Sequence, residues 1–438
     1  MSTELVCPPP VVVPWPSLER AKLLRYARDT WTGLVAAVDP TSGLPADCLR
    51  IDASLSAQTS ISDIGALLWS ILVAQRLGLI DRAEAIGRAQ RLLNSLAQLE
   101  RDPASGSFFN WYDHVNGAIL ARWPGPDSPF SPALSSVDNG WLATGLRIIA
   151  RGLPELAAPA EALFAGIDFG AYYRPAQNQI AIVIDRTNCY DTIISESRIA
   201  TYLGIAAGRI PARAYFGTCR TLPAERRQQA VPLGARRRYL ETDVFEGAYA
   251  YAGLRLVPSW GGSMFEALMP TLFVPEERWG ARSWGHNHPL TVAAQIHYGL
   301  IEQAQTCWGV SASSTPGGRY DEYGVGPIGM NPEGHSPEGV VTPHASFLAL
   351  RYAPAEALAN LERLERDFGA YDDWGFADSV NVRSGKISNE HFIIDSGMIM
   401  AALGNALDDD LLRRSFAYGD ISRALRPIMA LEKFNFQG

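Results

Sequence analysis

Long apolar runs, clustered cysteines and an excess of basic charge are all missing from this 438-residue chain. No segment holds the ~18–20 uninterrupted apolar residues that a membrane helix needs. The five cysteines, Cys7, Cys48, Cys189, Cys219 and Cys307, are far apart and odd in number. With no Cys-x-x-Cys pair, they predict reduced thiols rather than a disulfide frame or a zinc site. Lys and Arg total 38 against 46 Asp and Glu, a net charge of −8. That balance argues against a protein that tracks nucleic-acid phosphates. There is no Walker loop, and no Gly-x-Ser-x-Gly elbow follows a strand. His286 and His288 flank Asn287 with no Cys or acid at a usual metal spacing, so no metal site is expected there. The first residues lack a basic region ahead of an apolar core, and prolines break their apolar stretch. No signal peptide is expected from that pattern, and a cytoplasmic location is.

Aromatic residues are plentiful, with 11 Trp, 16 Tyr and 16 Phe. Many stand beside Gly, Asn, Asp or Ser, as in Asn110-Trp111-Tyr112-Asp113, Ser259-Trp260-Gly261-Gly262 and Tyr371-Asp372-Asp373-Trp374-Gly375. In such loops a flat apolar face with a polar edge suits a sugar ring.

Apolar spacing predicts helices over 18–38, 60–79, 81–99, 138–152, 191–207, 262–273, 290–308, 341–350, 354–368 and 391–407. With shorter pieces the series reaches roughly twelve helices, and few strands, one over 180–184. Three loops, 101–136, 209–260 and 309–340, exceed the ~12–15 residues beyond which loops tend to be functional. Helix pairs with long loops on one side point to an all-α toroid; an irregular helical domain is the alternative. The expected organisation is an extended arm over 1–17, one domain over 18–431 and a tail over 432–438.

Four segments carry candidate chemistry. In Asp191-Thr192-Ile193-Ile194-Ser195-Glu196-Ser197-Arg198, Glu196 has a helical, apolar setting. Partial burial raises a carboxyl pKa and suits a general acid; a structural ion pair with Arg198 or another arginine is the other reading. In Ser259–Pro270, two glycines deliver a helix whose first turn holds Glu266. A helix dipole lowers the pKa there, which suits a base, a nucleophile or a ligand contact; a plain capping acid is the alternative. Asp138 is either a helix N-cap or an acid facing a cavity. The run from Trp308 to Gly324, with Ser311, Ser313, Tyr320, Asp321 and Tyr323, reads as a polyol-binding loop or as a solvent loop. Arg226-Arg227 and Arg236-Arg237-Arg238 read as a solvated loop or an anion site.

Taken in order, DTIISESRIATYLGIAAGRIP, SWGGSMFEALMP, CWGVSAS, YDEYGVGP, VVTPHASFLAL, GFADSVN and IDSGMIMAAL resemble segments of the glucoamylase-like family. That family includes endo-β-1,2-glucanases and the transglycosylase domain of cyclic β-1,2-glucan synthases. Thr59–Leu72, NWYD and SSVDNGWLATGL resemble the synthase-like branch. The resemblance covers residues 20–410. It implies an (α/α)6 toroid whose long loops form a cleft at one end, acting on β-1,2-linked glucose chains by hydrolysis or transfer. By motif position it implies Glu196 and Glu266 as the leading catalytic carboxylates, with Asp138 at a third acidic position. Candidate substrate contacts are Trp111, Tyr112, Trp141, Tyr190, Arg198, Trp260, Ser311, Ser313, Tyr320, Asp321, Tyr323, Trp374 and Asp378.

The chain departs from the family at three places. Glucanase-like members tend to carry more acids where Asn139 and Trp141 stand, and Asp where Ser314 stands. Synthase-like members carry Glu in place of Ala312. The expected chemistry has Glu196 as acid and Glu266 as base or nucleophile, the roles being exchangeable. No metal or organic cofactor is expected, and the expected partner is a glucan oligosaccharide in a bacterial cytoplasm, with neither nucleic acid nor membrane. The alternatives are an (α/α)6 glycosidase for another linkage and a non-catalytic glycan-binding toroid.

Overall fold

A computed structural model describes residues 15–124, 128–223, 225–335 and 338–434. Most of the expected N-terminal arm and the last four residues lie outside the described ones. Fifteen α-helices occur among the described residues. The first five are α1 (Ser17–Ala36), α2 (Ile61–Arg76), α3 (Arg82–Gln98), α4 (Ser136–Gly152) and α5 (Ala157–Ala165). The next five are α6 (Arg198–Ala206), α7 (Ala214–Gly217), α8 (Met264–Leu268), α9 (Glu276–Trp279) and α10 (Trp284–His297). The last five are α11 (Pro343–Ala349), α12 (Pro354–Phe368), α13 (Ile393–Leu407), α14 (Leu411–Phe416) and α15 (Asp420–Met429).

Burial follows composition. Helices α2 and α13 are apolar on most faces and buried on most faces, as a central helix must be. Helix α3 buries a single stripe, Ala85, Ala89, Leu92, Leu93 and Leu96, and turns its charges outward. The buried set makes contact in sequence: α2 with α4, α4 with α6, α8 with α11, α11 with α13, and α13 back with α2. Between α6 and α8 the link is Arg198, whose guanidinium donates to the carbonyls of Glu266 and Ala267 at 2.9 and 2.7 Å. A second set lies against these helices: α1 on α13, α3 on α2, α5 on α4, α15 on α6, α10 on α8 and α12 on α11.

Helices α2 and α4 approach backbone to backbone at Gly65 and Gly145. A Cβ on Gly145 would stand 2.7 Å from the Gly65 carbonyl oxygen, so any side chain there would force the helices apart. Three rings fill the space between the buried helices. Trp69 lies 6.3 Å from Trp141 and 4.8 Å from Phe273, and Trp141 lies 5.7 Å from Phe273.

Several boundaries differ from the sequence expectation. The helix expected from Asp191 starts only at Arg198, so Glu196 stands in the turn before α6. Hydroxyls explain this: Ser195 Oγ accepts from the Ser197 amide at 3.3 Å, a local bond that competes with helix formation. Asp138 is not the cap of α4. Ser135 holds that position, and its side chain accepts from the Asp138 amide. The helix expected over 290–308 ends at His297 and continues as one π-helical turn, Tyr298–Glu302.

The presumed loop 209–260 contains α7 and an antiparallel three-stranded sheet, Leu233–Tyr239, Thr242–Tyr251 and Leu254–Leu256, with Thr242–Tyr251 in the middle. Its first hairpin turns at Leu240 and Glu241, both at positive φ (44° and 64°), without the Gly or Asn that would have marked it. The arginine run belongs to this sheet: Arg238 pairs with Asp243 at 3.0 Å and Arg237 with Glu246 at 3.5 Å. Glu432, at the start of the expected tail, is buried and paired with Arg220 and Tyr215. Cys48, Cys189, Cys219 and Cys307 are free. Among the described residues, no helix is long and apolar enough to cross a membrane.

Candidate active site

A cleft of about 860 Å³ gathers residues far apart in the chain. Its lining includes Tyr190, Asp191, Ser195, Glu196, Trp260, Phe265, Glu266, Tyr320, Glu322, Tyr323 and His335. Two carboxylates thus arrive from different segments, Glu196 from the turn before α6 and Glu266 from the first turn of α8.

The local sequence explains the Glu266 position. Ser263 caps α8 and forms a capping box with Glu266, each side chain bonding the other's backbone amide. Gly262, at φ +77°, brings the chain against Val325, whose amide donates to the Gly262 carbonyl at 3.0 Å. A Cβ on Gly262 would stand 2.2 Å from the Val325 carbonyl oxygen, so this turn requires glycine twice over. The Gly261 amide donates to both Glu266 oxygens at 3.0 Å, and Ser259 Oγ donates to Oε2 at 2.8 Å. Ser311 Oγ accepts from the Phe265 amide at 3.0 Å and steadies the same turn.

Glu196 has fewer partners. Among the described residues its Oε2 accepts one side-chain bond, from Ser195 Oγ at 3.3 Å. Loss of solvent, then the charge of Glu266, pushes its carboxyl up to about 7. The Glu266 carboxyl is raised as well: burial outweighs the four hydrogen bonds that would lower it. The helix-terminus argument predicted the opposite direction for Glu266, and the structure corrects it, because desolvation exceeds the dipole and hydrogen-bond contribution. Among the described residues neither carboxylate forms an ion pair.

Arg198, next to this pair, turns away from the cleft. It forms a bidentate pair with Glu276 at 2.7 and 2.9 Å and donates to the carbonyls of Ser195, Glu266 and Ala267. One buried guanidinium therefore ties together the backbone next to both carboxylates. Burial alone would raise Glu276, but Arg198, with His288 beside it, holds its carboxyl down to about 2. His288, weighed as a metal ligand, is instead stacked on Trp284 and directed at Glu276 at 3.1 Å.

The remaining expected contacts divide in two. Tyr190, Trp260, Tyr320 and Tyr323 line the cleft. Tyr112, Trp141, Arg198 and Ser311 are buried in structural roles: the Tyr112 hydroxyl bonds the Phe109 amide and the Glu100 carbonyl, and Trp141 belongs to the central ring cluster. Trp111 packs on Trp123, and Trp374 on His391, so neither belongs to the lining. Asp138 accepts from Ser62 Oγ at 2.9 Å, outside the lining but within electrostatic reach of Tyr190. Ser313 and Asp378 are buried elsewhere, and Asp321 points out to Arg319.

Glu322 and His335 line the cleft and were not expected. The strand pair Ser313–Ser314 with Tyr320–Asp321 gives a period of two. That alternation sends Tyr320 and Glu322 to one side and Asp321 to the other, a signal the sequence carried. His335 had no such signal; its ring is brought beside Gly261 by tertiary packing.

Residues 235–418 match the family described as "putative glucoamylase", and residues 25–203 match one described as a protein of unknown function, DUF3131. Over 376 residues the chain is 28% identical to the cyclic β-(1,2)-glucan synthase NdvB of Rhizobium meliloti, a match covering 79% of this chain and 12% of that protein. Among solved structures, the endo-β-1,2-glucanase from Chitinophaga pinensis in complex with sophorotriose and glucose shares the fold at a TM-score of 0.73. That match is 16% identical and covers 93% of this chain and 98% of the other. The β-1,2-glucanase from Parabacteroides distasonis superposes at 0.74, with 14% identity, covering 94% of this chain and 60% of the other. An endo-β-1,2-glucanase from Talaromyces funiculosus in complex with sophorose superposes at 0.64, with 11% identity, covering 94% and 90%.

Proposed function

We propose that the chain is a glycoside hydrolase or transglycosylase acting on β-1,2-linked glucan or its oligosaccharides. The observation that carries this reading is the meeting of Glu196 and Glu266 in one aromatic cleft, both desolvated and neither neutralised by a cation. A carboxyl pushed to about 7 is still substantially protonated at neutral pH. Glu196 thus donates its proton to the departing glycosidic oxygen. Glu266 supplies the second carboxylate that glycoside cleavage needs, activating water or attacking the anomeric carbon. Tyr190, Trp260, Tyr320 and Tyr323 offer flat faces and phenol edges to sugar rings.

The architecture we assign is an (α/α)6 toroid. Its support is the circuit of contacts α2, α4, α6, α8, α11, α13 and back to α2, with a second helix against each. The domain takes in 18–431 and, because Glu432 is buried against Arg220 and Tyr215, the start of the expected tail as well. The linkage assignment rests on the synthase and the glucanases named above, whose names all specify β-1,2-glucan or β-1,2-glucanase activity.

The test is incubation of the purified protein with β-1,2-glucan, β-1,3-glucan, cello-oligosaccharides and α-glucans, followed by chromatography of the products. Release or redistribution of β-1,2 oligomers is expected. Turnover of another linkage alone keeps the carboxylates and overturns the substrate. Binding without turnover anywhere in the panel overturns the enzyme assignment.

A further inference from the structure

A second group of acids lies inside the molecule, apart from the cleft lining. Asp47, Asp63, Asp378 and Asp395 are all buried and close enough for their charges to act on one another. Glu390 acts on the same group. Among the described residues, the cation paired with any of them is Arg50, 3.3 Å from Glu390 at the edge of the cluster. Four enclosed carboxyls without an enclosed cation are a costly arrangement unless they hold protons or a metal ion.

His344 distinguishes between those two. Its side chain is 1% exposed, and neither ring nitrogen has a hydrogen-bond partner. Its Nδ1 stands 3.3 Å from Asp395 Oδ2, in contact but not aligned for a hydrogen bond. Asp378 Oδ1 is likewise buried and receives no donor other than a proton shared with the Asp395 carboxyl. An imidazole nitrogen with no hydrogen-bond partner is a common metal ligand. One ligand atom each from His344, Asp378 and Asp395 lies within 4.8 Å of the others. Protons on the carboxyls would remove charge, yet would still leave both imidazole nitrogens without partners. A cation offsets the charge and also gives one of the two nitrogens a partner.

We propose that His344, Asp378 and Asp395 bind one divalent transition-metal cation of the Zn²⁺ type. One imidazole nitrogen and two carboxylate oxygens form the mixed donor set that such borderline ions accept, with bonds of ~2.0–2.2 Å. Tetrahedral bonds of that length hold ligand atoms ~3.3–3.5 Å apart, so the cluster closes by about an ångström around the ion. Ca²⁺ and Mg²⁺ favour all-oxygen shells of six or more ligands, which this site does not offer.

The ligands tie three elements together: the first turn of α11, the first turn of α13, and the turn between Gly375–Phe376 and Val380–Asn381. Asp378 also accepts the Ser314 amide at 2.5 Å, and Ser314 pairs with Tyr320, which lines the cleft. The cation therefore stiffens the wall that carries Tyr320 while touching neither Glu196 nor Glu266. The inference does not depend on the sugar substrate.

The experiment uses the whole chain. The protein is dialysed against EDTA and then metal-free buffer, and titrated with Zn²⁺, with Mn²⁺, Ca²⁺ and Mg²⁺ in parallel. Bound metal is counted by plasma mass spectrometry, and Tm is followed calorimetrically. One Zn²⁺ per chain is expected, with a Tm rise of several degrees that EDTA reverses. His344→Gln and Asp378→Asn should each weaken Zn²⁺ binding more than tenfold. A wild-type chain that takes up no Zn²⁺ and keeps the same Tm overturns the proposal, and the carboxyls then hold protons instead. Zn²⁺ uptake unchanged in both variants, or a response to Ca²⁺ or Mg²⁺ alone, overturns it too. If either variant fails to fold, the wild-type stoichiometry decides.

Discussion

Glu276 is fully buried and Glu196 lines the cleft, and Arg198 lies two residues from Glu196 in sequence yet bonds Glu276. Glu276 receives the whole guanidinium of Arg198, the Tyr202 hydroxyl at 2.7 Å and His288, and its carboxyl is held at about 2. Glu196, two residues before Arg198, receives one long bond from a serine and faces Glu266, and its carboxyl is pushed to about 7. The same side chain is thus ionised in one place and about half protonated in the other at pH 7. The deciding factor is where one arginine points. On the proposed function the region below the cleft serves rigidity and the cleft floor proton transfer; Arg198 stands between them, bonded to the Glu276 carboxylate and to the carbonyls of Ser195, Glu266 and Ala267.

The comparison is broken most severely by removing one carboxylate from each region. Glu196→Gln should cut turnover of the true substrate by about 10²–10⁴ while leaving binding and Tm close to wild type. Glu276→Gln should instead destabilise the fold by about 3–5 kcal/mol, because Arg198 is left buried without its counter-charge. Chemical denaturation of the two variants, read beside their rates, checks both statements. If Glu196→Gln unfolds the protein and Glu276→Gln stops catalysis without loss of stability, the two regions have been assigned the wrong way round.

Tryptophans sharpen the same contrast. Trp141→Ala empties a site between Trp69 and Phe273 and should cost about 3–5 kcal/mol of stability. Trp260→Ala, at the cleft, should leave Tm nearly unchanged and raise the oligosaccharide KM about three- to tenfold. An equal loss of Tm in both variants would place Trp260 in the core.

A smaller effect follows from linkage. The Glu196 carboxyl is raised above its unfolded value, so the fold favours its protonated form. The stability this contributes is fully present below the unfolded pKa of about 4.3 and is lost as pH rises through about 7. Glutamine cannot ionise, so Glu196→Gln should gain on wild type between pH 5 and pH 8 by on the order of 2 kcal/mol. Thermal unfolding at the two pH values measures the gain, and a difference that does not change with pH contradicts it.

How much of this was legible in the sequence depended on range. Helix α12 spans the predicted 354–368, and α3, capped by Asp81, falls within the predicted 81–99, since periodicity and caps are local signals. The start of α6 was misplaced because Ser195 and Ser197 bond locally, and the hairpin at Leu240-Glu241 was missed because its turn residues are atypical. Glu196 and Glu266 were legible as motif positions, but the direction of Arg198 was not. The ion pair weighed between Arg198 and Glu196 gives way to one with Glu276, 78 residues away. His344, Asp378 and Asp395 come from three separate segments, so no spacing rule along the chain could gather them.

The most direct test of the central claim is the titration of the Glu196 carboxyl itself. Carboxyl carbons are followed by ¹³C NMR in glutamate-labelled protein, and the Glu196 signal is assigned by its absence from Glu196→Gln. The account predicts a midpoint near 7 that moves down in Glu266→Gln, where the like charge is gone. A midpoint in the ordinary range of about 4.3, unmoved by Glu266→Gln, would contradict it.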